Sequence, residues 1–178
     1  MRIPSWTSEA APRDRALVDA ILKRRGGKLI NLDLALLWSE PLARGWNALL
    51  GAVRRELALE PRLREAAICV VAKITGAEYE FKHHWPEYVK AGGAEALRSR
   101  FDDPDRAAED PAFPPDERLA MRYAVAMTRH VKVPEALFAE VRARFSVSEI
   151  VELTASIATY NMVARFLVAL EVEEERLK

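Results

Sequence analysis

The sequence carries one cysteine, Cys69, among 178 residues. A single sulfur allows neither an intramolecular disulfide nor a cysteine-based zinc cluster. Charge of one sign is not in excess either: Lys+Arg and Asp+Glu each number 27, so the formal net charge is zero. That balance removes the general attraction to nucleic acid or to an anionic membrane. It also leaves little repulsion between copies, so self-association meets no electrostatic barrier. No apolar run reaches the roughly 18 residues of a membrane span. The opening MRIPSWTSEAAPRDR lacks the apolar centre of a secretion signal. These absences predict a cytoplasmic protein with no nucleic-acid and no membrane partner. Strand signals are missing as well: no period-2 alternation bounded by turn residues occurs, and no solenoid-type repeat.

What remains is a chain with half its residues hydrophobic and 30% charged, the profile of a globular protein with a real core. The length suits one domain over 1–178, with an extended arm at 1–12 marked by Pro4 and Pro12. Helical spacing runs from Arg13 to Arg25 and stops at Gly26-Gly27. Leu29 to Leu37 reads as a short buried helix or turn. Ser39 is a candidate cap for a helix near Pro41 that runs to about Leu57. Glu60-Pro61 opens a helix to about Ile74, and Thr75 is a candidate cap for another from Gly76 to Ala91. A short helix follows at Ala94 to Arg100. The four prolines between Asp102 and Pro115 predict a loop. Asp116 is a candidate cap for a helix to His130, Pro134 starts one to Arg144, and Ser146 or Ser148 caps a last long helix to about Leu170, ahead of a charged, frayed tail. The fold class is therefore all-α, with seven to nine helices.

Chemistry-bearing residues concentrate in Glu65–His84, EAAICVVAKITGAEYEFKHH, which holds two of the three histidines. Glu80 and His84 are one helical turn apart and share a face. A helical hairpin around Thr75-Gly76 would bring Glu65 to them. An imidazole between two carboxylates is a proton relay with a raised pKa; the same i,i+4 pairing is also common on solvated helix faces. Adjacent His83 and His84 point roughly 100° apart and would not chelate one ion, and H-E-x-x-H is absent, so no metal is expected. Cys69, set among Ile68, Val70 and Val71, reads as a buried, inert thiol, with a single redox cysteine as the alternative. His130 closes a helix, where its charge suits the dipole. Tyr160 and Asn161 interrupt an apolar helix and Arg165 shares a face with Asn161; these three suit a substrate or a partner subunit equally.

The order of a helical Glu, an apolar run and T-G-x-x-Y-E-x-x-x-H resembles the carboxymuconolactone decarboxylase superfamily, which includes the AhpD-like alkylhydroperoxidases. Here it reads Glu65, AAICVVAKI, then Thr75-Gly76-Ala77-Glu78-Tyr79-Glu80-Phe81-Lys82-His83-His84. The upstream SEPLARGWNALLGAVRRELALEPRLRE and the downstream SVSEIVELTASIATYNMVARFLVAL are similar to the family's flanking helices, so the resemblance covers most of residues 29–172. It implies an AhpD-like helical bundle. The family's peroxidase branch uses a Glu, a C-x-x-C pair and a His. Those positions fall on Glu65, Ala77, Glu80 and His84, so both thiols are absent and a dithiol cycle cannot run. What the resemblance leaves is cofactor-free acid–base chemistry on a small organic acid: decarboxylation, or lactone or keto-acid conversion. Glu65, Glu80 and His84 are its catalytic candidates. His84 is the proton donor and Glu80 or Glu65 orients it. Tyr79, His83, Tyr160, Asn161 and Arg165 are the substrate-binding candidates, with Arg165 suited to a substrate carboxylate. Two alternatives stand beside this: a peroxidase using lone Cys69, and a non-catalytic helical oligomer. The family's habit implies a homo-oligomer, a trimer or hexamer, and Trp6 and Trp38 are candidate exposed aromatics for its contacts.

Overall fold

The structure is a computed structural model that describes residues 1–175. Its described residues form nine α-helices and one 3₁₀ helix, without strands. They are α1 (Arg15–Arg25), α2 (Asn31–Leu36), α3 (Glu40–Arg55), α4 (Pro61–Thr75), α5 (Glu78–Lys90), the 3₁₀ helix (Glu95–Asp102), α6 (Pro104–Ala107), α7 (Pro115–His130), α8 (Glu135–Arg144) and α9 (Val147–Ala169). The contacts gather into two units. One comprises residues 1–57 and the segment from 169; the other comprises 58–168. No helix among the described residues is long and apolar enough to cross a membrane.

In the first unit, α1 and α2 pack on α3. Asp33 is buried and gathers Arg25, through Nε at 2.9 Å, and Arg24, through Nη2 at 3.3 Å. The arm has no regular structure, but it is tied down. The Arg2 N–H donates to the Leu170 carbonyl and the Trp6 N–H to that of Leu34. Trp6 is buried rather than exposed, because its indole N–H folds back onto the Ala11 carbonyl at 2.7 Å. Trp38 is half-buried, its indole N–H donating to the Pro4 carbonyl at 2.7 Å. Each ring is thus tied to the arm by its indole N–H. The predicted charged tail is described as far as Glu175; its last three residues lie outside the described residues.

The second unit is built around α4. Every residue from Leu63 to Ala72 is buried; the run from Ala66 to Ala72 is apolar on all sides, and the charged residues Arg64 and Glu65 pair with each other. It packs on α7 and α5 most extensively. Ala66 and Ala67 on α4, and Ala120 and Ala124 on α7, are fully buried, and such small side chains allow close helix approach. The α4–α5 hairpin closes in a Schellman motif. Gly76 takes φ +69°, its N–H donates to Lys73, and the Ala77 N–H reaches the Ala72 carbonyl at 2.9 Å. A side chain at 76 would be strained in that left-handed conformation.

Several predicted caps differ from the structure. Thr75 ends α4 instead of opening α5, because its hydroxyl donates back to the Val71 carbonyl at 2.7 Å. Ser39 stands at the cap of α3 but its side chain makes no capping bond. Asp116 lies in the first turn of α7, displaced by Pro115 at the helix start. The proline-rich loop contains α6, one turn stabilised by the Asp103 side chain accepting from the Arg106 N–H at 3.2 Å. Ser146 does cap α9, in a reciprocal box with Glu149: the Ser146 N–H donates to Glu149 Oε2 at 2.8 Å, and the Glu149 N–H to Ser146 Oγ at 3.3 Å. Val147, Val151, Met162 and Val168 leave an exposed apolar face along α9.

Candidate active site

The hairpin sets α4 and α5 side by side, and the contact that follows links residues 19 apart in sequence. His84 Nδ1 and Glu65 Oε2 are 2.6 Å apart. Glu65 is 3% and His84 4% exposed, so this short bond lies out of solvent. The second Glu65 oxygen accepts from Arg64, at 3.2 Å from Nε and 3.1 Å from Nη2. Arg64, itself buried, supplies the positive charge that keeps a carboxylate tolerable at this depth. With Glu65 as the carboxylate acceptor, Nδ1 is the imidazole nitrogen that carries the proton in this bond. The ring of Tyr160, from α9, meets the imidazole edge-on, centroids 4.6 Å apart at 80°.

Glu80 behaves differently from the expected relay. It is 2% exposed, and neither of its oxygens has a hydrogen-bond partner among the protein groups, so it does not orient His84. Burial alone pushes its carboxyl well above the ordinary value of 4.5, toward the neutral acid. Cys69 is completely buried, and its thiol is pushed well up, first by burial and then by the charge of Glu65. An accessible thiolate beside a positive group, which a lone peroxidatic cysteine needs, is not what this position offers.

The remaining candidates fall into two groups. Tyr79 and His83 stack with centroids 4.3 Å apart, and His83 Nδ1 bonds the Tyr79 carbonyl at 2.8 Å, a contact within one turn of α5. Asn161 donates to Thr128 Oγ1 of α7 and to the Ile157 carbonyl, both at 3.0 Å. Arg165 is exposed, and its Nη1 donates to Asn161 Oδ1 at 2.7 Å and to the Asn161 carbonyl at 2.9 Å. The structure thus brings Glu65, His84 and Tyr160 together, with Glu80 one turn along the same helix as His84. It ties Arg165 to the surface of α9. No group of three or more His, Cys, Asp or Glu among the described residues is arranged to hold a metal ion.

Sequence reasoning missed Arg64; its signal was the Arg-Glu pair entering an apolar run, where a cation has to be matched. It also missed a second buried polar cluster. Tyr88 donates to Glu117 Oε1 at 2.5 Å, and Arg62 Nη1 donates to Glu117 Oε2 at 2.9 Å. Burial raises the Glu117 carboxyl, against the lowering effects of Tyr88 and Arg62.

No family model matches the sequence, and no curated protein matches it. Solved structures do. An uncharacterised peroxidase-related protein with an alkylhydroperoxidase AhpD core, from Ralstonia eutropha JMP134, superposes with TM-score 0.82 at 17% identity, covering 98% of this chain and 92% of its own. A putative antioxidant defence protein AhpD from Agrobacterium tumefaciens gives TM-score 0.67 at 24% identity, covering 75% and 90%. The debrominase Bmp8, as a cysteine-to-alanine form in complex with 2,3,4-tribromopyrrole, gives TM-score 0.78 at 17% identity, covering 99% and 92%. At these identities the shared property is the fold. The chain shares the all-α fold of these AhpD-like and peroxidase-related proteins.

Proposed function

We propose that the protein is a cofactor-free acid–base enzyme acting on a small organic acid, by decarboxylation or by lactone or keto-acid conversion. The observation that carries this reading is the buried 2.6 Å bond between Glu65 and His84. Glu65, braced by Arg64, fixes the imidazole's tautomer and supports the imidazolium, and His84 Nε2 exchanges the proton with substrate carbon. The ring contact with Tyr160 supports a precise imidazole plane. Peroxidase-related names among the fold neighbours would equally suit a redox role. The missing C-x-x-C pair and the buried, neutral Cys69 thiol weigh against it here. Incubating wild type and His84→Ala with a panel of oxo acids and lactones in heavy water tests the reading. Deuterium entering the carbon next to the carbonyl, and lost in the variant, is the expected result. Equal incorporation by both proteins removes His84 from the chemistry.

The same reading includes a homo-oligomer, a trimer or hexamer. The exposed valines and Met162 on α9 and the absence of net charge support it. A monomer on light-scattering chromatography at micromolar concentration counts against it. The depth of Glu65, His84 and Glu80 favours a second reading, a non-catalytic helical oligomer in which these groups form a structural network. Under it, no ligand from the panel raises the melting temperature.

A further inference from the structure

We propose that Glu80 is the oxyanion-holding group of this site: its carboxylic O–H donates a hydrogen bond to the carbonyl oxygen of a small enolisable ketone, oxo acid or lactone while His84 moves a proton at the adjacent carbon. The inference rests on the acid–base reading of the Glu65–His84 pair.

Buried polar atoms in folded proteins are almost always hydrogen-bonded, so a buried carboxyl with both oxygens unpartnered by protein groups is one that a ligand or water has to satisfy. Glu65 shows the contrast. Both of its oxygens are engaged, by Arg64 and His84. The cations nearest this layer face other groups: Arg64 pairs with Glu65, Lys73 pairs with Asp102 at 2.9 Å and with Glu78 at 3.5 Å, and the Arg98 guanidinium lies over the Phe81 and Trp85 rings, 5.4 and 5.9 Å from their centroids. No cation pairs with Glu80, and burial disfavours its anion. Cys69 on α4 lies within electrostatic reach of Glu80, and of Glu65, Lys73 and Arg98 as well; His84 follows one turn further on α5. A neutral acid in such surroundings is a donor, and a donor is what a developing enolate oxygen needs. An ionised Glu80 would repel that charge.

Glu80 and His84 occupy one face of α5, their Cβ atoms about 5–6 Å apart at this spacing. A carbonyl oxygen and the carbon next to the carbonyl are two bonds apart, so one small molecule can meet both side chains at once. In the forward step the carbon–hydrogen bond breaks, its proton goes to His84 Nε2, and its electron pair forms the enolate double bond. The carbonyl pair moves onto the oxygen held by Glu80. For a decarboxylation, the carbon–carbon bond supplies the electron pair, carbon dioxide leaves, and the His84 imidazolium protonates the carbon. Glu80 keeps its own proton in both, and no oxidant or reductant enters.

Substituted phenolates, which mimic an enolate oxygen on a small ring, serve as probes in the intact protein, with binding followed by absorbance. Wild type and Glu80→Gln, whose amide N–H still donates, are expected to bind. Glu80→Ala is expected to bind about tenfold more weakly or worse. Equal affinity in Glu80→Ala, or a wild type that binds none of the phenolates, overturns the proposal. Infrared difference spectra of wild type against Glu80→Gln decide it if the alanine variant fails to fold. A protonated carboxyl stretch at neutral pH is expected, and its absence overturns the assignment. Failure of the two readings is distinguishable. Glu80-dependent phenolate binding without deuterium exchange retires the acid–base reading alone. His84-dependent exchange with phenolate binding unchanged in Glu80→Ala retires the Glu80 assignment alone.

Discussion

Replacing Glu80 with glutamine removes a titrating group from the interior while keeping its shape. The folded carboxyl is held well above 4.5 by burial, whereas in the unfolded chain it ionises at its ordinary value. Once pH passes that ordinary value, the folded state holds a proton that the unfolded state has released. The Glu80 contribution to wild-type stability therefore falls with rising pH, by about 1.4 kcal/mol per pH unit, until the folded carboxyl itself ionises. The glutamine variant lacks this slope. All other groups titrate alike in both proteins, so the stability difference isolates Glu80, with the variant gaining as pH rises. Urea unfolding at a series of pH values reads it. With a slope of ~2 kcal/mol per molar, the two midpoints separate by about 0.7 M for each pH unit. Parallel midpoints, or a gap that moves the other way, would refute the reasoning, because either requires a carboxylate that is already ionised in the fold.

Glu65→Ala removes the carboxylate that both Arg64 and His84 use, leaving a buried cation unmatched, and is expected to cost about 3 kcal/mol in chemical unfolding. Gly93→Ala would set a Cβ 2.3 Å from the buried Tyr88 ring, so the ring must shift; a loss of about 1–3 kcal/mol is expected in thermal unfolding, against none if the loop gives way freely. Cys69, fully buried and with its thiol held protonated, is expected to resist alkylation in the native protein and to react fully in denaturant, as mass spectrometry would record.

The extent to which this molecule is legible in its sequence differs from residue to residue. Gly76 announces the end of α4, because a left-handed turn is a local demand and glycine answers it. The start of α5 is harder to place, because a threonine hydroxyl can serve the helix before it as well as the one after it. One turn of helix in a proline-rich segment, as at α6, leaves too short a pattern to read. The Glu65–His84 contact is legible, since a tight hairpin between two apolar helices permits few alternatives. Spacing assigns Glu80 to that relay because it identifies a face but not a partner. Spacing also sets Arg165 beside Asn161, yet it cannot tell that Asn161 reaches α7 while Arg165 stays on the surface. The Arg62–Tyr88–Glu117 cluster joins three helices at separations of 55 and 29 residues, and no local pattern encodes such a meeting.

The solitary, shielded Cys69 has a practical consequence. The natural chain is already a clean background for site-directed labelling, with no native thiol to remove first. A cysteine introduced at Val151 or Met162, on the exposed face of α9, would take a spin or fluorescent label as the only reactive sulfur. Distances between such labels on separate copies would then count neighbours and report their arrangement directly in solution.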